Sequence, residues 1–155
     1  MAAREVFGRR SVFAGLVAVV LLAGCSTAPP SYKQVLTGEK EVPPVKTAAA
    51  GLEDISVRPG KCPSTGSSST DCPLLVGTVQ TTGIVGTAAH VHQGAVGQNG
   101  PVIVTLVPTS TDTWAIPQGT VLTDAQYQAY LKGQLYVNVH SDANRSGEIR
   151  AQVKP

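Results

Sequence analysis

Apolar and β-branched residues alternate with polar ones in short runs from Tyr32 to Val153. A period of two residues is typical of strands that bury one face and expose the other. Glycine, proline and small polar residues separate the runs. The pattern predicts an all-β, antiparallel fold with strands at 32–37, 51–57, 74–81, 84–92, 101–107, 135–140 and 148–153.

One stretch, residues 122–133, has the end signals of a helix. Thr123 can accept a hydrogen bond at its start, and Gln126 completes a capping box. Gly133 is a typical residue just after a helix end. We therefore predict one short helix between the fifth and sixth strands.

The three histidines of the chain all lie in two of the predicted strands. His90 and His92 are two residues apart, so their side chains project from the same face of a strand. His140 lies in a later strand and would complete a cluster of three imidazoles. Such a donor set binds copper or zinc.

Copper is our first choice for this site and zinc the second. Imidazole suits both metals, and the Irving–Williams order then favours copper. The alternative is that the histidines are hydrogen-bonded structural residues of a metal-free interaction module. Asp142 and Asn144 are candidates to orient an imidazole, and they are equally ordinary turn residues.

The last strand alternates Glu148, Ile149 and Arg150. This alternation predicts a solvent-facing edge on which the two charged side chains form a salt bridge. Every histidine is already assigned to the cluster, so no Ser/His/Asp triad is indicated. No cysteine lies near a histidine, which argues against a blue-copper site.

Residues 1–24 are predicted to be a targeting segment. Three arginines are followed by the apolar run 11–23, which is too short to span a bilayer. The segment ends in Leu22–Cys25, which resembles the lipobox of bacterial lipoproteins. This resemblance implies cleavage before Cys25, lipidation of its thiol and anchoring of the protein in a membrane.

Residues 25–31 would then be a lipidated tether, and residues 32–155 one domain. Ser26 implies, by the same resemblance, an outer-membrane lipoprotein that faces the periplasm. The targeting segment has three arginines and one glutamate, so it accounts for the +2 charge of the whole chain. The remainder is nearly neutral, and nothing in it favours nucleic-acid binding.

Two further cysteines, Cys62 and Cys72, flank a segment rich in serine, threonine, glycine and proline. With Cys25 lipidated, an oxidising compartment favours a disulfide between them. A cysteine metal site is the alternative, although no histidine lies near either residue.

Six motifs in a fixed order resemble the CHRD (chordin-type) domain, over roughly residues 32–153. They are Gly38–Pro44, Ala89–Gly94, Gly100–Leu106, Leu122–Gln126, Tyr136–His140 and Gly147–Gln152. The resemblance implies a compact, immunoglobulin-like antiparallel β fold. The family takes its name from an animal regulator of secreted growth factors, and fold alone does not transfer that role.

A second similarity concerns the histidines. His90-Val91-His92 is similar to the copper strand of copper/zinc superoxide dismutases, which are also antiparallel sandwiches. His140 and Arg145 are similar to the late copper histidine and the anion-guiding arginine of those enzymes. The similarity implies three copper ligands and an arginine that attracts superoxide. A bridging histidine and a zinc cluster are missing, so any dismutase here would be copper-only.

The sequence therefore predicts an immunoglobulin-like or superoxide-dismutase-like β-sandwich or barrel with one short helix. Its first predicted function is that of a lipid-anchored periplasmic protein that binds a copper ion. The alternatives are a copper-only superoxide dismutase-like enzyme and a metal-free envelope interaction or structural module.

Overall fold

The computed structural model describes Met1, residues 33–62 and residues 71–155. Apart from Met1, the predicted signal peptide, the predicted tether and the predicted lipidation site Cys25 lie outside the described residues. No helix in the described part of the chain has the length and apolar character needed to cross a bilayer.

The fold is antiparallel β with one α-helix among the described residues, as the sequence predicts. The strands are β1 (Gln34–Thr37), β2 (Ala50–Lys61), β3 (Asp71–Thr82), β4 (Gly86–Gln93), β5 (Val102–Thr105), β6 (Val107–Pro108), β7 (Thr113–Ala115), β8 (Leu135–Ser141) and β9 (Ile149–Val153). A 3₁₀ turn spans Gly38–Lys40, and helix α1 spans Asp124–Leu131.

The strands form one sheet in the order β5-β4-β8-β9-β1-β2-β3-β7-β6. Its two edge strands, β5 and β6, are separated in the chain by Leu106 alone. Leu106 is buried, and its N–H donates to the carbonyl of Ala89 at 2.9 Å. The sheet therefore curls until its edges meet, which makes it a nearly closed barrel.

The barrel interior is filled by alternate residues of the strands. Val91 in β4, Val137 and Val139 in β8, and Ile149 in β9 point inward and are fully buried. Helix α1 covers one end of this core through Ala129 and Tyr130. Its start has the predicted capping box between Thr123 and Gln126.

The outer face of β4, β8 and β9 is polar and is nevertheless largely covered. His92, Asn138, Glu148 and Arg150 are buried there, although they point away from the apolar core. The prediction of a solvent-facing salt bridge between Glu148 and Arg150 is therefore wrong. The chain returns over this face in two loops, 41–49 and 94–101, and Asn99 donates from one loop to the Val42 carbonyl of the other at 2.7 Å.

The Cys62 and Cys72 sulfurs lie at disulfide-bonding distance, with 5.2 Å between the Cα atoms. They join the far ends of β2 and β3, which pair along twelve residues each. The geometry is that of the predicted cysteine pair.

Candidate metal centre

The register of β4 and β8 brings the three histidines together. His90 lies opposite Asn138, and His92 lies opposite Tyr136. His140 follows Asn138 by two residues, so its side chain emerges on the same outer face. One ring nitrogen from each histidine lies within 4.8 Å of the other two, and Nδ1 of His90 is 2.9 Å from Nε2 of His140.

Backbone carbonyls orient two of the three imidazoles. Nδ1 of His92 donates to the Gly100 carbonyl at 2.9 Å, and Nδ1 of His140 donates to the Arg145 carbonyl at 2.9 Å. A carbonyl oxygen can only accept, so each of these Nδ1 atoms carries the proton. In the neutral rings, both Nε2 lone pairs are then free to bind a metal. This is how proteins commonly orient metal-binding histidines.

The side chain of Asn138 lies between these two rings. Its Oδ1 is 3.1 Å from Nε2 of His92 and 3.1 Å from Nε2 of His140. An amide oxygen and a neutral Nε2 are both acceptors, so neither can satisfy the other directly. The contacts become favourable when a cation lies among the three atoms.

Burial lowers the pKa of His90 and of His92. Repulsion by His140 and His92 lowers the pKa of His90 further. At His92 the shift is partly opposed, because the charged ring can donate to the Gly100 carbonyl and to the Asn138 amide oxygen. Both rings are therefore neutral at neutral pH. Neutral imidazole is the form that binds a metal.

A stack of three side chains fixes the buried side of the site. The His92 ring lies parallel to the Tyr136 ring, with 4.6 Å between centroids and 5° between planes. The Arg150 guanidinium lies 3.3 Å from the Tyr136 centroid and donates to the Gln98 carbonyl at 2.8 Å. The stack thus ties His92 to the 94–101 loop that supplies the Gly100 carbonyl.

Glu148 holds the loop on the open side of the site. It accepts hydrogen bonds from Ser141 and from Thr47, the latter at 2.7 Å. The hydroxyl of Ser141 also accepts from the Asn144 N–H at 3.1 Å. These contacts fix the 141–147 loop, which supplies the Arg145 carbonyl to His140.

The structure brings together His90, His92 and His140 but orients them by other groups than the sequence predicts. The side chain of Asp142 is largely exposed and lies 3.9 Å from Arg145. His92 and His140 are held by main-chain carbonyls instead of by Asp142 or Asn144. Arg145 itself lies at the rim, its side chain 85% exposed.

A cavity of about 360 Å³ opens onto this side of the cluster. It is lined by Thr87, Ala88, His90, His140, Asp142 and Arg145. A small molecule or ion can therefore reach two of the imidazoles from solvent, while His92 is buried behind them.

Sequence reasoning missed Asn138 as a neighbour of the histidines. A signal was present, because Asn138 lies two residues before His140 and shares its strand face. It also missed Glu41, whose carboxylate lies on the far side of Asn138. Glu41 lies 97 residues before Asn138 in the chain, and no periodicity links the two.

The family model described as the CHRD domain matches residues 32–153. The match covers most of the chain and confirms the resemblance carried by the six motifs. No curated protein and no solved structure matches the chain.

Proposed function

Because the chain belongs to the CHRD domain family and its three histidines lie in one cluster, we propose that it is a lipid-anchored, copper-binding protein of the bacterial cell envelope. His90, His92 and His140 are the proposed ligands of one copper ion. The observation that carries this proposal is the convergence of the three ring nitrogens within 4.8 Å. The anchor and the outer-membrane location rest on the lipobox-like sequence that ends at Cys25.

Ring orientation supports metal binding over simple packing. A structural histidine satisfies both ring nitrogens with protein groups. Here the Nδ1 atoms of His92 and His140 donate to carbonyls, while their Nε2 atoms face one another across an amide oxygen. In a metal-free envelope module, Nδ1 of His90 could donate to Nε2 of His140 at 2.9 Å, but Nε2 of His92 and the amide oxygen would remain opposed.

The donor set favours copper over zinc. It consists of imidazole nitrogens, to which copper binds more tightly than zinc in the Irving–Williams order. Zinc remains the second choice, because three histidines and an open position also suit that metal.

Elemental analysis of the full chain, purified without an affinity tag, tests the proposal. After loading with copper and removal of the excess, we expect about one copper per chain in the wild type. His90→Ala, His92→Ala and His140→Ala should each lose most of it. Asp142→Asn is the matched control, because it removes an exposed negative charge at the same rim and should retain copper. Equal copper in the wild type and all three histidine variants would leave the metal-free module as the function.

A superoxide dismutase-like activity is the second candidate, favoured by Arg145 at the mouth of the cavity that reaches His90 and His140. Superoxide is a small anion, and a local positive charge would raise its rate of encounter with the copper. Asp142, 3.9 Å from Arg145, partly offsets that charge.

Copper-loaded protein should then remove superoxide much faster than the copper-free protein, and the rate should fall as ionic strength rises. Arg145→Glu should lower the rate while copper stays bound, and Lys132→Glu, an exposed change in the turn after α1, serves as the control. A rate that is insensitive to both salt and Arg145→Glu would rule out anion guidance.

A further inference from the structure

Asn138 lies beside the three histidines and places a further possible donor atom, its carboxamide oxygen, next to their ring nitrogens. Resting on the proposed copper site, we infer that the Asn138 carboxamide oxygen is a fourth donor to the metal, and that Glu41 sets the direction in which this oxygen points. The site would thus present three nitrogens and one oxygen.

The spacing of the atoms fits a shared metal. Oδ1 of Asn138 lies 3.1 Å from Nε2 of both His92 and His140, and the latter lies 2.9 Å from Nδ1 of His90. Donors bound to one metal at about 2.0–2.2 Å, with angles near 90–110°, lie about 2.8–3.6 Å apart. These three separations fall within that range, and the three imidazole nitrogens all lie within 4.8 Å of one another.

Asn138 has no alternative place for its oxygen. The residue is 2% exposed and lies in β8, between β4 and β9, directly opposite His90 on one side and Arg150 on the other. A buried amide oxygen that faces only acceptors is destabilising by about 1–3 kcal/mol. A metal ion at this point would remove that cost for the oxygen and for Nε2 of His92 together.

Glu41 determines which end of the amide faces the histidines. A carboxylate accepts hydrogen bonds only, and Nδ2 of Asn138 lies beside Oε1 of Glu41 against Gly147, so the amide nitrogen of Asn138 faces Glu41. The oxygen must then face the histidines. Glu41 is 5% exposed, and its Oε1 has no well-aligned hydrogen-bond partner among the described residues, so no other donor competes with the Asn138 amide for this oxygen.

Gly147 makes this close approach possible. A Cβ at this position would lie 2.5 Å from Oε1 of Glu41 and 2.6 Å from Nδ2 of Asn138. The Gly38–Pro44 motif, which contains Glu41, and the Gly147–Gln152 motif thereby acquire a role at the metal centre, although neither contains a histidine.

An oxygen donor also determines which oxidation state is bound more tightly. Mixed nitrogen and oxygen donors suit Cu²⁺, whereas Cu⁺ prefers soft sulfur ligands. We therefore expect the site to hold Cu²⁺ more tightly than three imidazoles alone would hold it.

Two substitutions of Asn138 test the inference in the full chain. Asn138→Leu removes both amide atoms with little change in volume, and Asn138→Asp keeps an oxygen in the same place. Competition titration with Cu²⁺ should show affinity at least tenfold lower for Asn138→Leu, and partly recovered in Asn138→Asp, whose second carboxyl oxygen faces Glu41. Electron paramagnetic resonance of the bound Cu²⁺ should differ from the wild type in both variants, because the oxygen donor is lost in one and becomes a carboxylate in the other.

Glu41→Gln tests the orienting role. A glutamine can donate as well as accept, so it no longer dictates the direction of the Asn138 amide. We expect weaker Cu²⁺ binding than in the wild type and a mixture of two Cu²⁺ spectra. Glu39→Gln, an exposed change in the same motif, should retain the wild-type affinity and spectrum.

The outcomes separate this inference from the proposed function. A wild-type chain that binds no copper contradicts the copper site itself. If the wild type binds copper while Asn138→Leu and Asn138→Asp give the same affinity and spectrum, Asn138 is not a donor and the three-histidine site stands. Should Asn138→Leu fail to fold, an unchanged spectrum in Asn138→Asp alone overturns the inference.

Discussion

Glu53 is a carboxyl group inside the barrel, and its substitution should change how stability depends on pH. It lies in β2, points inward and is 0% exposed. Its Oε2 accepts from the Ile55 N–H at 2.6 Å, and its Oε1 has no partner among the described residues. Burial raises the pKa of Glu53 from 4.5 to about 7, a shift that the Ile55 hydrogen bond only partly opposes.

The size of the effect follows from this pKa. The unfolded chain releases the Glu53 proton near pH 4.5, whereas the folded protein retains it up to about pH 7. Between these values the unfolded state binds fewer protons, so the free energy of unfolding falls as pH rises and levels off above pH 7. The gap of about 2.5 pH units corresponds to a loss of about 3 kcal/mol.

Urea unfolding of the full chain between pH 4.5 and 8.5, with a chelator present, measures this loss. Glu53→Gln has no carboxyl proton to lose. Between pH 4.5 and pH 8, its free energy of unfolding should therefore rise relative to that of the wild type by up to about 3 kcal/mol. Glu39→Gln, at an exposed carboxylate, is the control and should follow the wild-type curve. Parallel curves for the wild type and Glu53→Gln would show that Glu53 ionises normally in the fold and would refute the reasoning.

Two further predictions concern the metal centre. Cu²⁺ in hundredfold excess over its Kd should stabilise the wild type by about 2.7 kcal/mol, because the ion binds only the folded state; a melting temperature unchanged by Cu²⁺ and by chelator would contradict the site. Glu148→Gln should weaken Cu²⁺ binding severalfold without removing a ligand, because Glu148 holds the loop whose Arg145 carbonyl orients His140. Competition titration measures this change, with the exposed Asp142→Asn as control, and an unchanged affinity would show that the loop keeps its position without Glu148.

The strands that carry the core were predictable because their pattern is local. Val137 and Val139 alternate with polar residues, and this period alone assigns them to a buried face. The hairpin of β2 and β3 was predicted too short, since it continues through Pro59 and Pro73, which lie opposite one another. Prolines argue against strand continuation in a sheet interior, yet here the hairpin extends beyond the barrel to the cysteine pair.

The same alternation misleads on the outer face of β8 and β9, where the site lies. Alternation predicts correctly that a polar residue such as Arg150 is exposed only when no other segment of the chain covers that face of the sheet. Here the 41–49 and 94–101 loops do return, and Arg150 donates to Asn99 at 3.0 Å and to the Gln98 carbonyl. These contacts join residues about fifty positions apart, so no local period encodes them. The histidines were predicted as metal ligands because imidazole is a common metal donor. Asn138 could not be predicted in the same way, because its position beside them depends on the loops that bury it.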